Sequence, residues 1–148
     1  YQPKIILAGR KINDKMGTHV ALELAKKLKE KDIEIKSAKI LIMGLTFKEN
    51  CADIRNSGIQ GVIGKLKEFD CELDLYDPWV DEDEIKEIYN IFPNSELHQN
   101  TYDGIIIAVA HEKFKEMGIS SIKNLCKKNH VIYDLKYLFK KSQTNMRL

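Results

Sequence analysis

The feature that most constrains the fold of this chain is a short apolar run that is followed by glycine and then by a polar segment. Residues 39–43 (KILIM) are apolar on both faces, which is typical of a strand in the centre of a parallel sheet. After Gly44, the polar segment carries two cations, Lys48 and Arg55. Because ligands of open α/β sheets bind where the strands end, this stretch predicts both a sheet and the position of a ligand site.

The rest of the chain alternates between strand-like and helix-like patterns. We predict three further strands, at residues 72–76, 104–110 and 130–134. We predict helices from residue 57 onwards, at 81–89, around 112–116 and at 120–126. Short edge pieces are expected at 91–93 and 97, and a loose tail after 139. This alternation predicts an α/β fold with a Rossmann-like, doubly wound parallel sheet.

The helix after the first strand has an identifiable start and an unusual composition. Ser57 and Gln60 have the spacing of a capping box, and a buried stripe follows them. Gly58, Gly61 and Gly64 are poor helix formers. Such glycines would allow close packing on the sheet or on a ligand.

An amphipathic helix precedes the sheet, and Asn13 or Asp14 would cap its start. Its apolar stripe consists of Met16, Val20, Leu24 and Leu28. The helix would either pack on this unit's own sheet, or be the tail of a longer helix from a preceding domain, with a stripe free to self-associate. We favour the second interpretation, because α/β domains usually open with a strand. The first residues show no initiator methionine and no secretory pattern, so we expect a piece of a longer chain.

Composition excludes several classes of protein. The 24 basic and 22 acidic residues nearly cancel, which argues against a general nucleic-acid binder. No apolar run is long enough to cross a bilayer, so we expect no membrane partner. The three widely spaced cysteines fit a reducing, cytoplasmic location better than a disulfide framework. The four histidines are dispersed, and we expect no metal site.

Polar residues follow each predicted strand, and a parallel sheet brings the strand ends to one edge. The segments concerned are 44–48, 77–78, 110–111 and 134–136. Lys48 and Lys136 would place two cations there, which suits a diphosphate, and Phe47 would stack on a base or ring. The alternatives are that Phe47 is a core residue and Lys136 a solvated surface lysine. We interpret Lys48 together with Arg55 as functional.

Other residues near this edge have plainer interpretations. The glycine fingerprint of dinucleotide-binding loops is absent after residue 43, so NAD would not be held here in the usual way. Asp53 would orient Arg55 or cap a turn, and the second role is the commoner one. Cys51 has no histidine near it in sequence and is interpreted as structural, as are Cys71 and Cys126.

Several of these motifs together resemble the C-terminal domain of the UDP-glucose/GDP-mannose dehydrogenase family, in particular its bacterial UDP-N-acetylhexosamine 6-dehydrogenases of capsule and O-antigen synthesis. The main motifs are 44–50 (GLTFKEN) and 53–57 (DIRNS). Supporting stretches are 8–14 with 16–17, 76–80 (YDPWV) and 108–111 (AVAH). The resemblance implies that residues 37–148 form a UDP-sugar-binding domain and that residues 1–36 end a central helical dimerisation region.

The resemblance also implies roles for single residues. Phe47 and Lys48 match positions that hold the nucleotide sugar, and Arg55 matches an arginine that reaches the NAD of the same active site. Lys136 stands where many relatives have a substrate-binding arginine, so it keeps the charge but loses the bidentate fork. The family's enzymes oxidise the sugar C6 alcohol to a carboxylate in two NAD-dependent steps, linked by a thiohemiacetal on a cysteine. That cysteine and the main NAD site belong to parts outside this sequence, so the resemblance implies that this fragment alone is inactive. The resemblance also implies that the intact enzyme is a homodimer.

Two other functions remain open at this point. The first is a non-catalytic module that senses or carries a nucleotide, and the second is a structural domain that closes the active site of a dimer partner. The sugar also remains open among UDP-GlcNAc, UDP-GalNAc, UDP-ManNAc and UDP-glucose.

Overall fold

The sequence folds into a five-stranded parallel sheet covered by helices on both faces. The structure is a computed structural model that describes residues 4–55, 57–93 and 96–148, with side chains from residue 15 onwards. The helices are α1 (Lys4–Glu30), α2 (Ile59–Glu68), α3 (Glu82–Tyr89) and α4 (Glu112–Leu125). The strands are β1 (Lys39–Met43), β2 (Glu72–Tyr76), β3 (Tyr102–Ile107), β4 (Cys126–Asp134) and β5 (Met146–Arg147).

The strand order is β2-β1-β3-β4-β5, and every neighbouring pair is parallel. From β1 the chain moves outward to β2 and then crosses back to β3 on the other side of β1. This reversal makes the gap between β1 and β3 the topological switch point of the sheet. The predicted Rossmann-like, doubly wound α/β fold is therefore confirmed.

Alternation along the central strands produces two cores. Ile40 and Ile42 of β1 point into the core shared with α1 and α2, whereas Leu41 and Met43 point into the core shared with α4. All four are fully buried, because helices cover both faces of β1.

Helix α1 packs within this unit rather than standing apart from it. Val20, Leu24 and Leu28 are buried in the same core as the stripe of α2. These three residues of the stripe are therefore covered, whereas Met16 is 41% exposed, and self-association of the helix stays a prediction. The predicted start at Asn13 or Asp14 is wrong, since α1 begins at Lys4. That the helix also continues a preceding domain stays a prediction.

The start of α2 differs from the predicted capping box. The helix begins at Ile59, with Gly58 in the N-cap position and no side-chain cap. The hydroxyl of Ser57 accepts from the Ile59 backbone N–H and donates to the Thr46 carbonyl, both at 3.4 Å. Ser57 is therefore used to join the helix start to the loop after β1. By contrast, α3 begins as its sequence predicts, with the Asp81 carboxylate accepting from the Asp83 N–H at 2.8 Å.

The ends of β3 and β4 differ from the predicted ones. Strand β3 ends at Ile107, because the following residue leaves the ladder after its N–H bonds the Met43 carbonyl at 2.9 Å. Cys126 begins β4 rather than lying on a helix. Gly118, with φ +77°, interrupts α4 and divides it into the two short helical stretches that the sequence predicts.

Two predictions about irregular segments are wrong. The described residues of 91–97 contain no strand, and Ile91 and Leu97 instead pack partly against the two cores. The tail after residue 139 is ordered, because Asn145 holds it on β4. The Asn145 N–H donates to the Ile132 carbonyl at 3.1 Å, and its side-chain oxygen accepts from the Ile132 N–H at 2.8 Å. Strand β5 follows directly.

No helix among the described residues is both long and apolar enough to pass through a lipid bilayer.

Candidate functional site

A cavity of about 300 Å³ opens at the carboxyl edge of the sheet, beside the switch point between β1 and β3. Its walls come from the loop after β1, the start of α2, the residues after β3 and β4, and one face of α1. The lining residues are Met16, Gly17, Val20, Thr46, Phe47, Lys48, Glu49, Ser57, Gly58, Ile59, Val62, Ala108, Val109, Leu135, Lys136 and Leu148. Segments more than 80 residues apart in sequence thus form one site, where the strand pattern predicts it.

Three of the four predicted site residues line this cavity: Phe47, Lys48 and Lys136. Phe47 is 62% exposed, so the alternative that it is a core residue is wrong. Lys48 and Lys136 are exposed as well, on loops that follow β1 and β4. The structure therefore brings two cations and an aromatic ring to one opening.

Arg55 does not line the cavity, and its side chain is 82% exposed. Its Nε lies 3.1 Å from Asp53 Oδ1, which also accepts the Arg55 backbone N–H at 2.9 Å. Asp53 therefore closes a turn and orients Arg55 at once. The hydrogen bond from the Arg55 side chain lowers the pKa of the Asp53 carboxyl and raises that of the arginine.

The electrostatics of the cavity favour an anion. Lys48 and Lys136 supply two positive charges, and Glu49 supplies one negative charge. Residues 57–59 bring the N-terminus of α2 to the wall, where the helix dipole adds partial positive charge. Gly58 leaves this wall bare, since a Cβ built on it would meet no atom within 4 Å.

Behind the cavity, one buried carboxylate joins the ends of three strands. Asp77, directly after β2, accepts from the Leu45 N–H at 2.7 Å and from the Trp79 N–H at 2.9 Å. Its Oδ2 also lies 2.9 Å from Nε2 of His111, which follows β3. Asp77 thus links the segments that follow β1, β2 and β3.

His111 continues the connection to the loop that carries Phe47 and Lys48. Its ring is fully buried, and Nδ1 accepts the Asn50 backbone N–H at 2.9 Å. Asn50 has a left-handed φ of +53°, and its side-chain oxygen accepts from the N–H of Glu112, the first residue of α4. The sequence predicts the position of His111 at this edge but not these roles of His111 and Asn50, because a single histidine or asparagine beside a strand end has no distinctive spacing.

The cysteines have structural surroundings. The Cys51 sulfur accepts from the Asp53 N–H at 3.4 Å within the turn. Burial raises the pKa of the Cys71 thiol to about 11 and that of the Cys126 thiol to about 12. Neither of these two is a ready nucleophile near neutral pH. In the part of the chain that the structure describes, no three His, Cys, Asp or Glu side chains come together as metal ligands.

Comparison with known proteins identifies relatives along the whole chain. Residues 41–141 match the UDP binding domain of the UDP-glucose/GDP-mannose dehydrogenase family. The chain is 47% identical over 148 residues to a UDP-N-acetyl-D-glucosamine 6-dehydrogenase of Salmonella typhi and 45% identical to one of Pseudomonas aeruginosa. Both alignments cover 100% of this chain and 35% of the relative, so the chain spans about a third of their length.

Solved structures give the same result for the fold. A UDP-D-ManNAc dehydrogenase of Pyrococcus horikoshii superposes with a TM-score of 0.73 at 25% identity, covering 99% of this chain and 34% of that one. The UDP-N-acetyl-mannosamine dehydrogenase Cap5O of Staphylococcus aureus superposes with a TM-score of 0.68 at 27% identity, over 97% of this chain and 32% of the other.

Proposed function

Because the chain belongs to the UDP-glucose/GDP-mannose dehydrogenase family and matches its UDP binding domain, we propose that it is the UDP-sugar-binding part of an NAD-dependent UDP-sugar 6-dehydrogenase. The intact enzyme would oxidise the C6 alcohol of the sugar to a carboxylate for polysaccharide synthesis. One observation carries the proposal: Phe47, Lys48 and Lys136 surround a single cavity at the switch point of the sheet.

We propose that the two lysines neutralise the diphosphate and that Phe47 packs against the uracil or sugar ring. Lysine suits the first role as a mobile point charge, although it makes no bidentate contact. The α2 N-terminus adds partial positive charge to the same wall. All these groups would bind the diphosphate and take no part in bond-making. A diphosphate fixed in place would position the attached sugar for the reaction at residues outside this chain.

Arg55 is proposed to contact NAD rather than UDP. Its side chain lies outside the cavity and bonds only Asp53 among the contacts described, so it is free to reach a ligand held mainly by another domain. NAD, when bound, would supply the acceptor for the hydride from C6. The contribution of Arg55 would be a positive charge at the boundary between the two ligands.

The remaining assignments follow from the family. We propose that residues 1–36 end the central helical region, that residues 37–148 are the UDP-sugar domain, and that the intact enzyme is a cytoplasmic homodimer. The identity of the sugar would be read mainly by the other domains.

Binding measurements on this chain test the proposal. Isothermal titration with UDP and, separately, with NAD is expected to give tighter binding of UDP. Lys48→Ala should weaken UDP binding by roughly fivefold to a hundredfold, the range for loss of a charge-assisted hydrogen bond. Lys128→Ala is the matched control, because Lys128 is an exposed lysine of β4 that does not line the cavity. Tighter binding of NAD than of UDP, or equal effects of the two substitutions, would contradict the proposal.

A further inference from the structure

His111 is connected to the candidate site without touching the cavity. It follows β3 as the N-cap residue of α4, its ring is fully buried, and it does not line the opening. Phe114 meets the ring edge-on with centroids 5.3 Å apart, and Trp79 lies at 6.3 Å. The polar contacts of the ring then run in two directions, towards Asp77 and towards the loop after β1.

The hydrogen bonds define the protonation of the ring. Nδ1 receives the Asn50 backbone N–H at 2.9 Å, so this nitrogen is the acceptor and carries no proton. Nε2 therefore carries the proton of the neutral imidazole and donates it to Asp77 Oδ2 at 2.9 Å. Thr46 Oγ1, 3.3 Å from Nε2, donates its own proton to the Lys48 carbonyl at 2.8 Å. The carboxylate thus selects the tautomer that can hold the loop.

The loop after β1 is anchored on both flanks, where Leu45 and Ile54 are buried in the core, but its exposed part has fewer contacts. Residues 47–50 are exposed, and the Phe47 N–H bonds within the loop, to the Asp53 carbonyl at 2.8 Å. Asn50 is held from outside the loop by the His111 ring and by the Glu112 N–H. An exposed segment of this kind samples open conformations unless such contacts hold it.

We propose that His111 is a positioning residue for ligand binding: as the Nε2–H tautomer held by Asp77, it fixes the backbone of Asn50 and so keeps Phe47 and Lys48 at the cavity. It acts through the loop and touches no ligand. As an account of UDP affinity, this rests on the proposed function. As an account of loop order, it does not.

Two substitutions separate the two halves of the ring. In His111→Asn the side-chain amide ends near the position of Nδ1, so its oxygen still accepts from Asn50 while the contact with Asp77 is lost. In His111→Gln the amide ends near the position of Nε2, so the donor to Asp77 is kept while the acceptor for Asn50 is lost. Both substitutions replace the histidine with a polar side chain of similar size.

The experiment uses ¹⁵N-labelled chain and NMR. Long-range ¹H–¹⁵N spectra of the wild type at pH 7 are expected to show a protonated Nε2 and a bare Nδ1 at His111. Hydrogen exchange at the Asn50 amide is expected to rise roughly fivefold to tenfold in His111→Gln, relative to the core amide of Ile106. In His111→Asn it should stay within about twofold of the wild type. A UDP titration should show weaker binding for His111→Gln by a similar factor.

Three results would overturn the proposal. The first is a proton on Nδ1 of His111, and the second is hydrogen exchange at the Asn50 amide that changes equally in both variants. The third is exchange at Asn50 that rises only in proportion to that at Ile106, because His111 would then act only as a core residue. If the wild-type chain binds no UDP, the function proposed above fails for this chain, while the tautomer and the exchange still decide whether His111 orders the loop.

Discussion

Gly58 shows how a missing side chain contributes to the candidate site. It stands at the start of α2 and lines the cavity, and a Cβ built on it would meet no atom within 4 Å. Its φ of −61° suits any residue. A side chain is therefore tolerated by the fold at this position, and what it changes is the space and charge offered to a ligand.

Gly58→Asp is expected to weaken UDP binding by roughly tenfold while leaving the fold intact. The new carboxylate would repel the diphosphate, although a negative charge is favourable for the helix itself at its N-terminus. Isothermal titration with UDP measures the first effect, and urea unfolding measures the second.

Gly64→Asp is the matched control, because Gly64 lies on the same helix, also faces open space and does not line the cavity. If Gly64→Asp weakened UDP binding as much, the effect would be one of overall charge, and the cavity would lose its assignment.

At the residue scale, the sequence predicted which residues lie at the site better than it predicted the contacts between them. Lys48, Phe47 and Lys136 could be proposed because each follows a strand, and parallel strands end together. The bond from Asn50 to His111 could not, because it depends on the left-handed backbone of Asn50 and on a tautomer chosen by Asp77. Such details are fixed by the packed structure and have no signature in residue spacing.

At the scale of the elements, the backbones of α1 and α2 approach each other closely where the two helices cross. A Cβ built on Gly17 would lie 2.6 Å from the Gly61 carbonyl carbon and 2.8 Å from the Val62 nitrogen. Both are backbone atoms, so they cannot rotate away. The two helices are therefore held together by an approach that only glycine at residue 17 permits.

Gly17→Ala should destabilise the chain by about 1–3 kcal/mol, the usual range for overpacking, despite the better helix propensity of alanine. Urea unfolding followed by circular dichroism measures the free energy of unfolding.

Gly64→Ala provides the comparison for this change. It occupies a helical position with open space, so it should stabilise the chain by about 0.5–1 kcal/mol. Equal effects of the two alanines would mean that the helix crossing is looser than the structure has it.

The elements that the sequence predicted well are those with a strong local pattern. Strand β1 and the buried stripe of α2 have unbroken or periodic apolar residues, and both formed as predicted. Strand β5 has two residues, and it exists because Asn145 pairs with Ile132. No periodicity can predict an element of that length.

At the scale of the whole molecule, alkaline pH should lower the free energy of unfolding through the thiols of Cys71 and Cys126. Burial raises the pKa of Cys126 from 9.0 to about 12 and that of Cys71 from 9.0 to about 11. Above pH 9 the unfolded chain would lose these protons while the folded chain keeps them. The free energy of unfolding must then fall as pH rises, and the loss is complete once the folded pKa is passed.

Urea unfolding at several pH values from 8 to about 11 tests this sign, with wild type compared to Cys126→Ala. The variant is less stable at pH 8 because it leaves a small cavity, but its stability should decline less steeply between pH 9 and 11. Identical slopes would mean that the Cys126 thiol ionises as freely in the folded chain as in the unfolded one.

The two edges of the sheet carry polar and charged residues. On one side of the sheet, β5 pairs only with the end of β4. The first part of β4 carries Lys127, Lys128 and Asn129, which are all exposed, while the apolar end of β4 is covered by Asn145 and β5. The opposite edge, β2, alternates Glu72 and Asp74 with its apolar residues. Charges on edge strands prevent a second chain from extending a sheet by backbone pairing. Among the described strands, the charged residues on both sides of the sheet therefore disfavour strand addition, so a concentrated solution of this protein should resist cross-β growth.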